Sequence, residues 1–342
     1  MKANIVFLKN LFWEVSGKGL NIASVFIINF VLANYLGPDL FGSYSYIITF
    51  SSIFLFISEF GLERIEIRET VNGKKIIDSS LLIRLIMSLI SYLILIVIVT
   101  LIENNAQTIL LIKVFAVSNF ATVGYVFRNF FLGKFKNIYS TIALNSKDVF
   151  SVITKVILIA NGASLETLIY FSIIDFFIES IVLFVIFRIR FSDYKLSFQF
   201  KEVKFLINKS FPLIVSGLLI LAYKKFDLLI INYYLSDFET GIYSSAQKIS
   251  NAILMGTTVV LMVYGPVLNK SINTESYKRK RMMFLETIIS ITIVLSIPIY
   301  LFAEQIIGLV FSVEYAPSIH PFKILVIKNV FEAIFLASGY II

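Results

Sequence analysis

Ten apolar runs of about 20 residues, the length that crosses a hydrocarbon core of roughly 30 Å, account for most of this chain. They lie near 11–35, 41–59, 79–102, 108–131, 139–160, 166–187, 210–234, 242–267, 283–302 and 320–342. Inside a bilayer every backbone N–H and C=O must be satisfied within the chain. Runs this long and uniformly apolar are unlike barrel strands, so each reads as a helix. Composition agrees: 58% of the 342 residues are apolar and only 15% are charged, against about 45–50% and 25% in soluble domains. The fold class is therefore an all-α polytopic membrane protein. The first run is longer than a signal-peptide core and no small-residue cleavage site follows it convincingly, so it is read as a retained first span.

The loops orient the helices. The N-terminus and the even-numbered loops hold 20 of the 30 basic residues, among them Arg64, Arg68, Lys74 and Lys75 in the second loop and Arg128, Lys134 and Lys136 in the fourth. Odd-numbered loops such as "IENNAQT" and "LSDFETG" hold none. By the positive-inside rule the N-terminus and the even loops are cytoplasmic. The net charge of +8 thus orients the protein and meets anionic lipid, and it calls for no nucleic-acid partner. The external loops are too short for a catalytic domain. With no cysteine in the chain, disulfides, thiol catalysis and thiolate metal sites are excluded. No phosphate-binding glycine loop, metal-ligand spacing or nucleophile–base arrangement stands out, so no catalytic residue, metal or cofactor is expected. His320 reads as an interfacial residue.

One short motif occurs twice. Shifting the chain by 199 residues lays "YLGPDLFGSYS" (35–45) on "YLSDFETGIYS" (234–244), with five identities in eleven positions: Tyr35, Leu36, Gly42, Tyr44 and Ser45 fall on Tyr234, Leu235, Gly241, Tyr243 and Ser244. Both copies join a first helix to a second on the outer side, and six helices separate them. This pattern is a parallel repeat of two bundles, which places a substrate path between them. Gly37-Pro38 and Gly42 are expected to make the first turn, and tyrosines such as Tyr35, Tyr44, Tyr234 and Tyr243 to act as interfacial anchors.

"LGPDLFGSYS", followed by "ISEFGLERIEIRE" (57–69), resembles the opening of bacterial polysaccharide exporters of the O-antigen (Wzx-type) flippase family. "DLLIINYYLSDFETGIYSSAQKI" (227–249) is similar to that family's seventh and eighth helices. The family belongs to the multidrug/oligosaccharidyl-lipid/polysaccharide exporter superfamily. The resemblance implies a V-shaped transporter of two lobes, expected at 1–195 (six helices) and 196–342 (four helices). The family has twelve or more spans, so the second lobe is expected to be incomplete. The implied cargo is a polyprenyl-pyrophosphate-linked oligosaccharide moved to the outer leaflet of the bacterial cytoplasmic membrane. Membrane lipids, a polysaccharide polymerase and its chain-length machinery are the implied partners.

Charges inside the spans carry the site reading. Lys18 lies in the first span one turn from Glu14. Lys147 and Asp148 lie in the fifth, Asp175 and Glu179 in the sixth, Lys224, Lys225 and Asp227 in the seventh, and Lys328 and Glu332 in the tenth. An ionised group at a helix centre costs about 2.5–3.5 kcal/mol in lipid, so most must face a hydrated cavity or one another. Arg84, Lys113, Lys155, Lys248 and Lys323, nearer span ends, are expected to snorkel. Asp175 and Glu179, four apart, repel, and Lys147 is the expected partner of one of them. Lys224 with Asp227, and Lys328 with Glu332, have the spacing of pairs within a helix.

Lys18, Lys224 and Lys225 are the candidates to meet a pyrophosphate, which a lysine binds as a compact point charge. Asp227, Asp175 and Glu179 are candidates to couple the cycle to an ion gradient. Arg64 and Arg68, among Glu59, Glu63, Glu66 and Glu69, are placed at the cytoplasmic mouth, either guiding the headgroup or forming a solvated ion-pair cluster that closes the inner gate. Two other readings stand: a drug or cation antiporter of the same superfamily, against which the lysines argue, and a polytopic glycosyltransferase, against which the short external loops argue.

Overall fold

The computed structural model describes residues 2–194, 198–251 and 277–339, and among them every regular element is helical. Lys195, Lys270 and much of the eighth expected span lie outside the described residues. A helical run from Lys2 to Glu59 is broken at Gly37, whose φ of 69° and ψ of 172° leave the helical region. A glycine adopts a positive φ without a Cβ penalty, and Pro38 then opens the next helix where its missing N–H is not needed. We therefore treat this run as α1 (2–36) and α2 (38–59). There follow α3 (Leu62–Val71), α4 (Ile77–Ile102), α5 (Ala106–Phe115), a 3₁₀ segment (Ala116–Gly124), α6 (Tyr125–Gly133), α7 (Asn137–Ala160), α8 (Leu165–Arg190) and α9 (Phe200–Tyr234). Residues 237–251 form α10. The chain continues through α11 (Tyr277–Leu301), α12 (Ala303–Val310) and α13 (Ile319–Gly339).

α4 shows which solvent these helices are made for. Its inward stripe includes Ser80, Arg84, Ser88 and Ser91, all buried, while Leu85, Ile86, Leu89, Ile90, Leu93, Ile94 and Val97 on the opposite side are exposed. Polar groups inside and large aliphatics outside invert the pattern of a soluble helix, and only hydrocarbon makes that arrangement favourable. The protein is a multi-pass membrane protein. Six described segments are long and apolar enough to cross a membrane: Ser16–Val71, Ile77–Ile102, Ala106–Gly133, Leu165–Arg190, Phe200–Tyr234 and Tyr277–Leu301. The first contains two of the ten expected spans. α7 and α13, expected as the fifth and tenth, fall outside this set; each carries three Lys, Asp or Glu residues.

By its contacts the chain forms two compact units, one of residues 1–28 with 43–236 and one of 29–42 with 237–342. These divide the chain elsewhere than the expected lobe boundary at 195/196. In the first unit, an aromatic cluster closes one end: Phe127, Phe130, Phe131 and Phe187 are buried, and Phe191 and Tyr194 pack against them. The Phe127 and Phe187 rings are 4.7 Å apart. Burial, helped by the Asp78 carboxylate, pushes the Tyr194 phenol up to about 12. In the second unit α11 packs on α13 through Phe284, Ile288, Ala333 and Ala337. Lys328 pairs with Glu332 at 3.5 Å, as the i,i+4 spacing predicts.

The turn at 35–45 differs from expectation in one respect. Gly37 makes the break, but Gly42 lies inside α2 and serves a close approach. A Cβ there would overlap the backbone carbonyl of Asp237.

Candidate functional site

α3 organises the first unit. Its buried residues Leu62, Ile65, Glu66, Glu69 and Thr70 recur at three- and four-residue intervals, the period of one helix face. Two of these five inward positions are glutamates, so the face is stable only if cations wait beneath it. Arg84 of α4 meets Glu66: its Nε donates to Oε1 at 2.9 Å and its Nη2 to Oε2 at 2.8 Å. Asn129 of α6 donates to the same carboxylate at 2.6 Å. Arg84 Nη1 donates to the Thr122 carbonyl at 3.1 Å. From there a buried chain of hydroxyls and amides runs on through Ser58, Ser88, Asn119 and Ser91. Glu69 takes Lys74 at 2.7 Å and Arg68 at 2.9 Å. The cluster expected to be solvated is therefore half interior: Glu66 and Glu69 are buried, while Glu63, Arg64 and Arg68 are exposed. Arg84 does not snorkel, being 1% exposed. A bidentate carboxylate on a nearby helix is a better partner than a distant interface.

Above this anchored face lies a cavity of about 360 Å³ between the end of α2, the start of α3 and α9, lined by Phe56, Glu59, Glu63, Arg64, Ser216 and Lys224 among others. Two glycines let the elements approach. Gly61, at φ 63°, would place a Cβ 3.0 Å from the Ile214 nitrogen, and Gly217 leaves room for the Phe56 ring. The cavity brings together Arg64 and Lys224, residues 160 positions apart that the sequence reading assigned to different places. Both are exposed, so both cations are accessible to a ligand.

A second group of charges lies where α1, α6, α7 and α8 meet. Lys155 donates to Asp175 at 2.5 Å and to Ser151 at 2.6 Å, and Ser151 donates to Asp175 at 2.6 Å. Glu179 faces Lys147 at 3.4 Å and Arg128 at 3.6 Å. Asp148 accepts from Asn21 of α1 at 2.8 Å. Lys147 thus serves Glu179, whereas Asp175 takes Lys155, which is 3% exposed and does not snorkel. Arg128, read as a loop residue, lies in α6 with its guanidinium 4.3 Å from the Tyr125 ring. Tyr44 is also interior, its hydroxyl 3.2 Å from Ser172, and is no interfacial anchor. Replacing Asp175 by asparagine leaves the Lys155 ammonium without its buried counter-charge. A loss of about 3–5 kcal/mol in unfolding free energy is expected, measured by denaturant titration in detergent. Unchanged stability would show that Lys155 does not depend on this partner.

The remaining predicted residues are spread along their helices. Lys18 is half-buried on α1, next to Gly17, which packs on the Thr141 side chain. On α9, Lys225 and Asp227 are half-buried, and Asp227 Oδ1 accepts from the Leu228 backbone N–H at 2.8 Å. Arg68 lies outside the cavity lining, engaged by Glu69. No cluster of three or more metal-ligating side chains occurs among the described residues.

Helices with polar interiors, apolar outsides and basic side chains lining a cavity define the class as a polytopic membrane protein built around buried charge, and comparison with known proteins sharpens this. The fold is similar to those of solved transporters of the MOP superfamily. The chain aligns with the lipid II flippase MurJ in its inward closed conformation at a TM-score of 0.73 and 15% identity, over 97% of this chain and 75% of that one. It aligns with the Vibrio cholerae MATE transporter VcmN at 0.64 and 12% identity, over 99% and 86%. A MOP superfamily transporter from Pyrococcus furiosus matches at 0.63 and 15% identity, over 97% and 84%. Among curated protein sequences no significant match is found. Residues 7–272 match the model of the polysaccharide biosynthesis protein family, and the chain belongs to that family.

Proposed function

We propose that this protein is a flippase that moves a polyprenyl-pyrophosphate-linked oligosaccharide from the inner to the outer leaflet of the bacterial cytoplasmic membrane by alternating access, with its N-terminus in the cytoplasm. The observation that carries the reading is the cavity in which Arg64 and Lys224 stand together. Two accessible cations on separate helices suit a diphosphate, which offers several anionic oxygens. Glu59 and Glu63 in the same wall temper the positive charge, so that the headgroup binds and then leaves. Lys18 and Lys225 are assigned to the same substrate path, and Arg68 to its cytoplasmic rim. Membership of the polysaccharide biosynthesis family and the likeness to a lipid II flippase support this choice of cargo. A polymerase and chain-length machinery are the partners such a product requires.

Ion coupling is assigned to the carboxylates Asp227, Asp175 and Glu179, of which the last two face ammonium or guanidinium groups. The two repeats are taken as lobes at 1–195 and 196–342. A drug or cation antiporter is favoured by the likeness to a MATE transporter; against it stand Arg64 and Lys224, with Glu59 and Glu63 balancing their formal charge in the same wall. Cells lacking the protein are expected to accumulate polyprenyl-linked repeat units on the cytoplasmic side. Normal outer-leaflet delivery in such cells would overturn the proposal.

A further inference from the structure

In the second unit, α11 and α13 touch through Ile288 and Ala333, and farther along the pair an apolar groove of about 370 Å³ opens between them. It is lined by Ile293, Ile297, Tyr300, Val326, Val330 and Phe331 among others. Its flanks suit hydrocarbon, since Val294, Ile324, Ile327 and Phe331 are all exposed. Ile293 to Leu301 on α11 and Lys323 to Phe331 on α13 each cover eight residue steps, about 12 Å at 1.5 Å per residue. One leaflet of the hydrocarbon core is roughly 15 Å thick. A groove of that length takes one fatty acyl chain, and a polyprenyl tail of many isoprene units overruns it.

One end of the groove is charged. There the Lys323 Nζ stands over the Tyr300 ring, 5.9 Å from its centroid, and faces Glu304 of α12 at 3.4 Å. The Glu304 side chain is 68% exposed and that of Lys323 29%, so both charges are open to a ligand. The connection between the two helices at this end exposes Phe302, Leu309 and Val313. A tyrosine, exposed apolar side chains and a lysine–glutamate pair at one level mark the boundary between headgroups and hydrocarbon.

We propose that this groove is a site for one phosphatidylethanolamine, a zwitterionic phospholipid of the bilayer. Its acyl chain lies between α11 and α13, its phosphate meets Lys323 and its ammonium meets Glu304. Charge complementarity decides the headgroup: a cation and an anion side by side match a phosphate and an ammonium carried by one molecule. Phosphatidylglycerol brings the phosphate but no cation for Glu304. Phosphatidylcholine brings both charges, but its quaternary nitrogen has no N–H to donate to the carboxylate, and a charge-assisted hydrogen bond is lost. With the N-terminus in the cytoplasm the site lies in the outer leaflet. It is independent of the cargo proposed above.

Native mass spectrometry of the purified protein, mixed with equal amounts of phosphatidylethanolamine, phosphatidylglycerol and phosphatidylcholine of identical acyl chains, tests the site. The wild type is expected to retain one phosphatidylethanolamine at least about tenfold more than either competitor, the worth of one charge-assisted hydrogen bond. Glu304→Gln is expected to remove the preference, and Lys323→Met to lower retention of all three lipids by about tenfold. Both side chains reach solvent, so both variants are expected to fold and cover the case in which Val330→Trp, designed to fill the groove and exclude all three lipids, does not. Glu314→Gln, at an exposed carboxylate outside the groove lining, is expected to change nothing. Equal retention of the three lipids by the wild type would mean an unselective lipid annulus and overturn the proposal. A dimer that takes up lipid only on dissociation would overturn it too, because a second copy then covers the groove. Displacement of phosphatidylethanolamine by a short-chain prenyl diphosphate would do the same, making the groove part of the cargo path.

Discussion

Arg84→Met is expected to lower unfolding free energy by about 3–5 kcal/mol, the penalty for leaving a buried charge without its partner. Glu66 is 1% exposed and takes two hydrogen bonds from Arg84 and one from Asn129, so losing the guanidinium strands a carboxylate that neither water nor lipid can reach. The double variant Glu66→Leu/Arg84→Met removes both charges and is expected to recover most of the loss, because a well-packed apolar pair often replaces a buried ion pair without net destabilisation. Denaturant titration of the purified protein in detergent measures both. Equal stabilities for wild type and Arg84→Met would show that α3 is not held by this pair. The effect reaches the candidate site, since α3 also carries Glu63 and Arg64 on the cavity wall. Arg84→Met is expected to weaken headgroup binding even where the protein remains folded, and the double variant to restore it in part.

Removing a cation from the cavity should act on binding and leave the fold intact. Lys224→Ala and Arg64→Ala each delete an exposed group, so stability is expected to change by less than about 0.5 kcal/mol. A charge-assisted hydrogen bond is worth about 1.5–3 kcal/mol, which corresponds to an affinity loss of roughly 10- to 100-fold for a diphosphate-bearing lipid. Arg68→Ala is expected to cost far less, its guanidinium being committed to Glu69. Binding to wild type is expected to weaken with added salt, as for any contact between exposed charges. Titration of a short-chain prenyl-diphosphate saccharide against the four proteins checks this, and equal affinities would remove the cavity from the substrate path. Asp227→Asn is expected to reduce flipping with binding retained, as fits a coupling role.

The membrane class, the helical fold and the doubled motif were legible in the sequence because each rests on a period or a length that hydrocarbon imposes. Partner choice was not. Arg84 and Lys155 were assigned to the interface from their distance to span ends, yet each has a carboxylate within reach on another helix, and linear position does not reveal that. One signal was available: writing α3 as a helical face places Glu66 and Glu69 beside Leu62 and Ile65, which calls for buried cations and points to a residue such as Arg84. The 3₁₀ stretch at Ala116–Gly124 left no trace in a uniformly apolar run. Lys224 was marked as a headgroup ligand and Arg64 as a residue of the cytoplasmic mouth, and their shared cavity depends on how Gly61 and Gly217 admit the neighbouring helix, a consequence of packing and not of spacing. Gly42 was read as a turn residue because a glycine close to a Gly-Pro pair signals a turn, whereas its close approach to Asp237 and Gly241 is a matter of packing.

The central claim is tested most directly by reconstituting the protein into liposomes that carry a fluorescent polyprenyl-diphosphate oligosaccharide in one leaflet, and following its arrival in the other with a membrane-impermeant glycan-cleaving enzyme. The account predicts protein-dependent translocation that Lys224→Ala and Arg64→Ala slow by at least about tenfold. Translocation no faster than in protein-free liposomes, or a rate indifferent to both substitutions, would contradict it.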